Sequence, residues 1–295
     1  MSARIEYIVA AWTGPRNRHC ARYNADPTYY IREHVASLAR LKHGLSSICV
    51  VLAEGGPGDG YVAEIPPVLG GTPVRILRRP NAGLSYASFA AAIRSAAPAV
   101  TDFILMEDDY IFTQDGFDRY LAESLAARPR TGMYSGGVWP HSETMIRARD
   151  VAAVFIGISP RRAVDAALAQ GYEGLPLYLD DPEAGYRAGY YGQTRWCWGL
   201  LDAGYEITDW LLDYSTAFWD SYADTTRVFE REPSFPEKDP RVVPATFLPQ
   251  SLVVPLQVVE RQTRISNGAV YSEGIVGYDG RIIPVIPCTS ATVTS

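Results

Sequence analysis

The chain has 295 residues, of which 47% are hydrophobic and 20% are charged, and its formal net charge is −6. This is the composition of a globular protein, and it excludes a disordered or fibrous chain. The acidic balance disfavours a protein that is held on nucleic acid mainly by long-range electrostatics. The four cysteines are far apart and form neither a zinc pattern nor a disulfide framework. No apolar run reaches the roughly 18 residues of a membrane span, and no signal peptide is evident, so we expect a cytoplasmic protein without a membrane span.

The first half of the sequence alternates apolar runs with segments of helical periodicity. We predict these elements in chain order: strand Ile5–Trp12, helix Tyr30–Leu41, strand Ser47–Ala53, strand Val74–Leu77, helix Ser85–Ala96 and strand Phe103–Met106. Turns rich in glycine and proline, such as Thr13-Gly14-Pro15, separate the runs. Helices that alternate with apolar strands predict an α/β fold, in which a mainly parallel sheet is flanked by helices.

The second half continues this pattern as far as about residue 233, where the composition changes. Val151–Ile158 is predicted as a strand, and Ser159 followed by Pro160 predicts the N-cap and first turn of a helix. A further helix is predicted over Thr194–Ala203, with Gly204 as its stop. From about residue 233 prolines recur, and Asn-Gly and Asp-Gly pairs at 267–268 and 279–280 separate β-branched runs, which is the pattern of hairpins. We therefore predict two units, residues 1–232 and a C-terminal β-rich extension over residues 233–295.

Three consecutive carboxylates, Glu107-Asp108-Asp109, directly follow the apolar strand Phe103–Met106. In open α/β sheets, ligands bind at the carboxyl ends of strands. Adjacent carboxylates repel one another, and their oxygens are the ligands that Mg²⁺ and Mn²⁺ prefer. A divalent ion held there would bind a diphosphate and neutralise charge on a leaving group. The alternative is a solvated acidic turn.

The stretch ILRRPNAGLSYASFAAAIRSAAPAVTDFILMEDDY resembles the central signature of GT-A glycosyltransferases, especially the large family-2-like group. In that group, a strand leads to an Asn-x-Gly-x-Ser turn and a helix of small residues, and the next strand ends in an Asp-x-Asp-type motif. The matching residues here are Asn81, Gly83, Ser85 and Glu107-Asp108-Asp109, within a resemblance that spans roughly residues 5–215. The resemblance implies that the turn lies near the nucleotide, that Asp109 binds the metal, and that Asp108 or Glu107 lies near the ribose or the metal.

A second stretch, GYYGQTRWCWGLLDAGYEITDW, resembles the family's helix that ends in Leu-Leu-x-Ala-Gly-Tyr-x-Ile. In inverting members this helix begins with Glu-Asp, and its Asp is the general base that deprotonates the acceptor hydroxyl. The corresponding position here is Gln193, whose amide cannot accept a proton. Three interpretations stay open: a nearby carboxylate is the base, the alignment is displaced by a few residues, or the enzyme is retaining. We favour the carboxylate, with Asp180, Asp181, Glu183 and Asp209 as candidates, although Asp180-Asp181 also fits a capping or turn pair.

Other residues are candidates by their place in the resemblance. Thr13 and Arg16 follow the first strand, where GT-A proteins bind the nucleotide, and Arg79 precedes Asn81, within reach of a diphosphate. For both arginines the alternative is a solvated or ion-paired surface side chain. Aromatic faces stack on sugar rings or bases, so a cluster of aromatic and arginine residues predicts acceptor contacts, with core packing as the alternative. The cluster comprises Tyr190, Tyr191, Arg195, Trp196 and Trp198. The acceptor candidates are Tyr191, Arg195 and Trp196 of this cluster, together with Trp139.

The resemblance implies a metal-dependent glycosyltransferase that moves a sugar from a nucleotide sugar, most often a UDP-sugar in this group, to an acceptor hydroxyl. Mn²⁺ or Mg²⁺ would bridge the carboxylates and the donor diphosphate. The acceptor is a glycan, a small molecule or a hydroxymethylated pyrimidine in phage-type DNA. A nucleotidyltransferase that makes nucleotide sugars is disfavoured, because the loop after the first strand, AAWTGPRNRH, has one glycine and no lysine. The third alternative, a non-catalytic carbohydrate- or DNA-binding protein, is favoured by Gln193.

Overall fold

The computed structural model describes residues 3–15, 23, 25–81, 84–135, 138–140, 150–152, 156–169, 196–209, 253–255, 274–276 and 282–284. Within these ranges the strands are β1 (Ile5–Trp12), β2 (Ser47–Glu54), β3 (Val68–Leu69), β4 (Thr72–Pro80), β5 (Asp102–Glu107), β6 (Tyr110–Phe112), β7 (Thr131–Ser135), β8 (Val138–Pro140), β9 (Asp150–Ala152), β10 (Ile156–Pro160), β11 (Glu206–Asp209), β12 (Val253–Pro255), β13 (Gly274–Val276) and β14 (Ile282–Pro284). The helices are α1 (Tyr29–Arg40), α2 (Asp59–Ala63), α3 (Leu84–Arg94), α4 (Phe117–Ala126), α5 (Arg161–Ala169) and α6 (residues 196–202). None of the described helices is long and apolar enough to cross a membrane.

Eight strands form one mixed sheet in the order β11-β7-β10-β5-β1-β2-β4-β3. The central strands β5, β1, β2 and β4 run parallel to one another, while β10 runs antiparallel to both β5 and β7. At the two ends, β11 is parallel to β7 and the short β3 is antiparallel to β4. This order confirms the predicted α/β fold with a mainly parallel sheet, and helices pack on both of its faces.

Alternate residues of each central strand pack on opposite faces of the sheet. On β1, Tyr7 and Val9 face α1 and α4, whereas Ile8 and Ala10 face α3, α5 and α6. Burial on both faces explains why these strands are continuous apolar runs in the sequence. The parallel order brings the carboxyl ends of β1, β2, β4 and β5 together along one edge of the sheet, which we name the carboxyl edge.

Two details of the sequence prediction are wrong, and one is confirmed. The run Val151–Ile158 is not one strand, because β9 pairs with β8 while a separate strand, β10, enters the main sheet. Ser159 is not an N-cap, because β10 extends to Pro160 and pairs Ser159 with Phe103 of β5. The stop of the later helix is confirmed, since Gly204 follows α6 with a φ of 84°.

One strand of the predicted C-terminal extension pairs with the first predicted unit. β12 is antiparallel to β6, the short strand that follows β5. β13 and β14 pair antiparallel on either side of residues 279–280, where the sequence predicted a hairpin. The second predicted hairpin, at residues 267–268, lies outside the described residues. The division into residues 1–232 and 233–295 stays a prediction.

Candidate functional site

The carboxyl edge brings together polar residues that the sequence singled out. β1 ends just before Thr13, β4 just before Asn81, and β5 just before Asp108. Asn81 is exposed. Because α3 follows β4 and α6 precedes β11, both helices run back along the sheet away from this edge. The first turn of α3 contains Ser85, and the described part of α6 starts at Trp196.

Two hydrogen bonds join the acidic turn after β5 to the end of β1. The main-chain N–H of Trp12 donates to Oδ2 of Asp108 at 3.0 Å, and the N–H of Asp108 donates to the carbonyl of Ala10 at 3.2 Å. Asp108 and Asp109 are each 1% exposed. Glu107 is half-buried, and strand alternation places it on the face covered by α3 and α6. The turn is therefore part of the packed fold rather than a solvated surface loop.

A buried histidine lies behind the acidic turn, on the face covered by α1. Nε2 of His34 lies 2.8 Å from the hydroxyl of Tyr7, and both side chains are buried. Burial lowers the pKa of His34 to about 4. The Tyr110 and Asp108 carbonyls and the Asp109 charge act in the opposite direction and raise this pKa, but their effect is smaller. His34 is therefore neutral at physiological pH. Sequence reasoning gave it no partner, because its contact with the turn depends on how α1 packs.

The loops after β1 and β2 pack closely against each other. The hydroxyl of Thr13 donates to Oδ1 of Asp59 at 2.5 Å, and Oδ2 of Asp59 accepts the N–H of Gly55 at 2.9 Å. A Cβ atom on Gly56 would lie 2.2 Å from Oγ1 of Thr13 and 2.5 Å from the nitrogen of Gly14, so a side chain there requires the loops to shift. The Thr13 hydroxyl is thus engaged within the protein, and Asp59 is a residue of this edge that the sequence did not predict.

Arg79 is a half-buried cation near the end of β4. The other two arginines of this strand form ion pairs, Arg75 with Glu6 at 2.7 Å and Arg78 with Glu54 at 3.4 Å. Arg79 instead donates to Oγ of Ser88 on α3 at 3.1 Å, and it pairs with no carboxylate in the part of the chain that the structure describes. Burial lowers the pKa of Arg79. A guanidinium without a carboxylate is suited to bind an anionic group of a ligand.

Three polar atoms are buried where α3 and α6 begin. The hydroxyls of Ser85 and Tyr86 and the indole N–H of Trp196 have no hydrogen-bond partner among the described residues. The rings of Tyr86 and Trp196 pack edge-on, with centroids 5.9 Å apart. Burial raises the pKa of Tyr86 well above its usual value, and the Cys197 thiol and the Glu107 carboxylate raise it further. Tyr86 was not predicted, although it directly follows the Ser85 of the resemblance motif.

The remaining predicted residues are described by their backbone or lie outside the described ranges. Trp139 belongs to β8, and Asp209 ends β11 in register with Ser135 of β7, which places the Asp209 backbone at the carboxyl edge. The predicted residues outside the described ranges are Arg16, Gly83, Asp180, Asp181, Glu183, Tyr191, Gln193 and Arg195. Their roles stay predictions.

Two buried carboxylates of the acidic turn fit a divalent cation. The described residues contain no group of three or more His, Cys, Asp or Glu side chains arranged to hold a metal. Mg²⁺ beside a phosphate ligand is usually bound by one or two protein carboxylates, with phosphates and waters as its other ligands. Asp108 and Asp109 match this mode, and one oxygen of Asp108 also accepts the Trp12 N–H.

A large cleft among the described residues lies at the opposite edge of the sheet. It has a volume of about 1340 Å³, and its wall includes Ile5 and Asp102, the first residues of β1 and β5, together with Lys42 and Arg161. At about 3.3 Å per residue, the length of β5 separates this cleft from the acidic turn by about 17 Å. The cleft is therefore not part of the candidate site.

No protein-family model and no curated protein matches the chain. Similar solved structures include the glycosyltransferase GlyE of Streptococcus pneumoniae TIGR4, at 12% identity and a TM-score of 0.45, over 86% of this chain and 54% of that chain. S. aureus TarS 1–349 aligns at 12% identity and a TM-score of 0.41, over 71% of this chain and 61% of that chain. A 4-diphosphocytidyl-2C-methyl-D-erythritol synthase from Anaerococcus prevotii DSM 20548 aligns at 7% identity and a TM-score of 0.42, over 70% of this chain and 86% of that chain.

Glycosyltransferases and nucleotidyltransferases are thus both among the solved structures to which this chain is similar. The chain spans 54% of the length of GlyE and 61% of TarS 1–349. At TM-scores below 0.5, the function of this chain has to be inferred from its own residues.

Proposed function

We propose that the chain is a metal-dependent glycosyltransferase that transfers a sugar from a nucleotide sugar, most simply a UDP-sugar, to an acceptor hydroxyl. The observation that carries this proposal is the presence, at one edge of the sheet, of a buried acidic turn and of a half-buried arginine that pairs with no carboxylate among the described residues. Asp108 and Asp109 suit a cation, and Arg79 suits an anion. A nucleotide diphosphate sugar bound together with a divalent cation presents both kinds of charge.

The spacing of these charges fits a ligand longer than a single phosphate. β4, which carries Arg79, is separated from β5 by β2 and β1. With neighbouring strands about 4.8 Å apart, the ends of β4 and β5 are about 14 Å apart. The hydrogen bond from Arg79 to Ser88 directs the guanidinium over the face on which α3 lies. A ligand that extends between the two charges would also pass the loop after β1.

Each side chain has a separate task in the proposed reaction. A bound Mn²⁺ or Mg²⁺ would neutralise the negative charge that builds on the leaving diphosphate. Asp108 and Asp109 would hold this cation, and the Trp12 N–H keeps the Asp108 carboxylate oriented. Arg79 binds a diphosphate oxygen. The acceptor hydroxyl loses its proton to a carboxylate from residues 180–209, the segment in which the sequence predicts the general base.

The two alternative functions differ from a glycosyltransferase in what they release. A nucleotidyltransferase would join a nucleoside triphosphate to a sugar phosphate and release pyrophosphate, whereas a glycosyltransferase releases a nucleoside diphosphate. A non-catalytic binding protein would bind the nucleotide sugar without turnover. Product analysis therefore separates the three functions.

The test measures release of nucleoside diphosphate from a panel of UDP- and GDP-sugars in the presence of Mn²⁺. We expect turnover by the wild type and a loss of about 100-fold or more in Asp109→Asn, which removes one negative charge from the cation site. Asp165→Asn is the matched control, because Asp165 is exposed on α5 at the opposite edge of the sheet. Release of pyrophosphate from a nucleoside triphosphate and a sugar phosphate, or tight binding of a UDP-sugar without any release, would contradict the proposal.

A further inference from the structure

Tyr86 of α3 lies close to polar residues of two other elements at the carboxyl edge. α3 and α6 pack on the same face of the sheet, with Ser85 and Tyr86 in the first turn of α3 and Trp196 as the first described residue of α6. The half-buried Glu107 ends β5 on this face, and its charge acts on the Tyr86 hydroxyl. The ring contact between Tyr86 and Trp196 joins the two helices. The cluster, which we name the α3–α6 cluster, consists of these four residues.

The hydrogen-bond donors of the α3–α6 cluster have no acceptor among the described residues. Tyr86 is 2% exposed and Trp196 is 7% exposed, and both the Tyr86 hydroxyl and the Trp196 indole N–H are buried without a partner there. The same holds for the hydroxyl of Ser85. Buried donors in folded proteins are nearly always paired, because an unpaired one costs free energy. Unpaired donors that come together from two helices indicate an acceptor supplied by a ligand.

We propose that Tyr86 and Trp196 bind a hydroxyl group of the transferred sugar, an inference that rests on the proposed glycosyltransferase function. Tyr86 and Trp196 donate hydrogen bonds to the sugar oxygen, and Glu107 accepts a hydrogen bond from that hydroxyl or its neighbour. The indole and phenol rings also offer apolar surface to the carbon atoms of the sugar ring. Tyr86 is then a residue that determines which sugar is bound.

The chemistry of the α3–α6 cluster favours a neutral hydroxyl over an anion. The Trp196 indole only donates, whereas a carboxylate accepts, so a group that contacts both Trp196 and Glu107 must both accept and donate. A hydroxyl does both. A phosphate oxygen accepts, and its charge is repelled by Glu107. We therefore assign the diphosphate of the donor to Arg79 and the proposed cation, and the sugar to this cluster.

The test compares Tyr86→Phe with the wild type, because this substitution removes the hydroxyl and keeps the ring. Calorimetry in the presence of Mn²⁺ measures binding of UDP, UDP-glucose, UDP-galactose and UDP-N-acetylglucosamine. We expect the variant to bind UDP like the wild type. We expect it to bind the UDP-sugar that the wild type prefers about fivefold to tenfold more weakly, which is the usual effect of one neutral hydrogen bond.

The stability of the ligand-free chain supplies a second readout, because Tyr86→Phe should weaken sugar binding without lowering stability. Tyr86→Phe removes a buried hydroxyl that has no partner, so its midpoint of urea unfolding should be unchanged or higher. Tyr120→Phe is the matched control, because the buried hydroxyl of Tyr120 lies 3.2 Å from that of Tyr134. This control should lower the midpoint and leave the affinities for UDP and for every UDP-sugar unchanged.

The outcomes distinguish this inference from the proposed function. Equal affinities of Tyr86→Phe and the wild type for every UDP-sugar overturn the inference, whether or not the unfolding midpoint changes. It is also overturned if the wild type binds UDP but binds none of the UDP-sugars more tightly than UDP. Failure of the wild type to bind UDP or any UDP-sugar contradicts the proposed use of a UDP-sugar and, with it, this sugar subsite.

Discussion

The main-chain N–H of Trp12, at the end of β1, donates a 3.0 Å hydrogen bond to Oδ2 of Asp108, which follows β5. Since β1 and β5 are neighbouring parallel strands, this bond joins the two loops at the centre of the carboxyl edge. It fixes the direction of a buried carboxylate through the backbone of another strand. The cation site that we propose is thus oriented by the sheet itself.

This bond predicts different effects for two substitutions of Asp108. Asp108→Ala removes the acceptor of the Trp12 N–H, and we expect the free energy of unfolding to fall by about 1–3 kcal/mol. Asp108→Asn keeps an acceptor oxygen and should cost less stability, while both variants lose glycosyl transfer by about 100-fold or more. Urea unfolding and the nucleotide-release assay check the two effects. Full activity of Asp108→Asn would show that the negative charge is not needed.

The close packing of the loops after β1 and β2 predicts that position 56 accepts no side chain. We expect Gly56→Ala to lower the free energy of unfolding by about 1–3 kcal/mol, because its Cβ would meet Oγ1 of Thr13 at 2.2 Å and the nitrogen of Gly14 at 2.5 Å. Gly60→Ala is the matched control, since a Cβ there meets nothing within 4 Å. In thermal unfolding the control should equal or exceed the wild type. A Gly56→Ala chain as stable as the control would mean that the loops move apart easily.

His34 predicts a component of stability that depends on pH. The unfolded chain protonates this histidine near pH 6.5, whereas burial lowers its pKa in the folded chain to about 4. Between these values only the unfolded chain binds the proton, so the folded chain loses stability as the pH falls, by about 1.4 kcal/mol per pH unit.

Comparison with His34→Gln isolates this component from other titrating groups. Urea unfolding at pH 7 and pH 5 should show the wild type losing about 2 kcal/mol more than the variant. From pH 7 to pH 8, where His34 is neutral in both states, the two curves should run parallel. Curves that are also parallel between pH 7 and pH 5 would show that His34 titrates normally in the folded chain.

Arg79 and its neighbour Arg78 offer a paired test of the anion site. Arg79→Gln should weaken UDP binding about tenfold or more, because a hydrogen bond between charged groups is lost. Its stability should be unchanged or slightly higher, since the guanidinium pairs with no carboxylate among the described residues. Arg78→Gln is the control, because Arg78 is exposed and pairs with Glu54. Calorimetry with UDP and Mn²⁺ measures the UDP affinity of both variants. Equal losses of affinity would point to a general effect of surface charge.

The parallel centre of the fold could be predicted from the sequence, and the antiparallel strand beside it could not. Strands β1, β2 and β5 are mostly apolar runs that end at glycine, proline or acidic turns, so local patterns were sufficient. β10 differs, because its pairing with β5 on one side and β7 on the other keeps Ser159 and Pro160 in the strand, so that the predicted helix begins only at Arg161. Pairing between distant segments has no local signal in a single sequence.

The candidate site also has a part that could be predicted from the sequence and a part that could not. The acidic turn and Arg79 were predictable, because they directly follow or end strands whose order the sequence indicated. The importance of Tyr86 was not, because its burial depends on Trp196, about 110 residues later in the chain. The interaction of His34 with Tyr7 likewise depends on the packing of a helix against a strand. Neighbouring residues in the sequence give no sign of either contact.

The pairing of β6 with β12 has a consequence for biosynthesis. β6 directly follows the acidic turn, and its partner, Val253–Pro255, is translated about 140 residues later. During synthesis on the ribosome, β1, β5 and β6 therefore emerge long before β12, the strand with which β6 pairs. A polypeptide that ended before Val253 would contain all three carboxylates of the acidic turn. The adjacent strand β6 would then lack its partner β12.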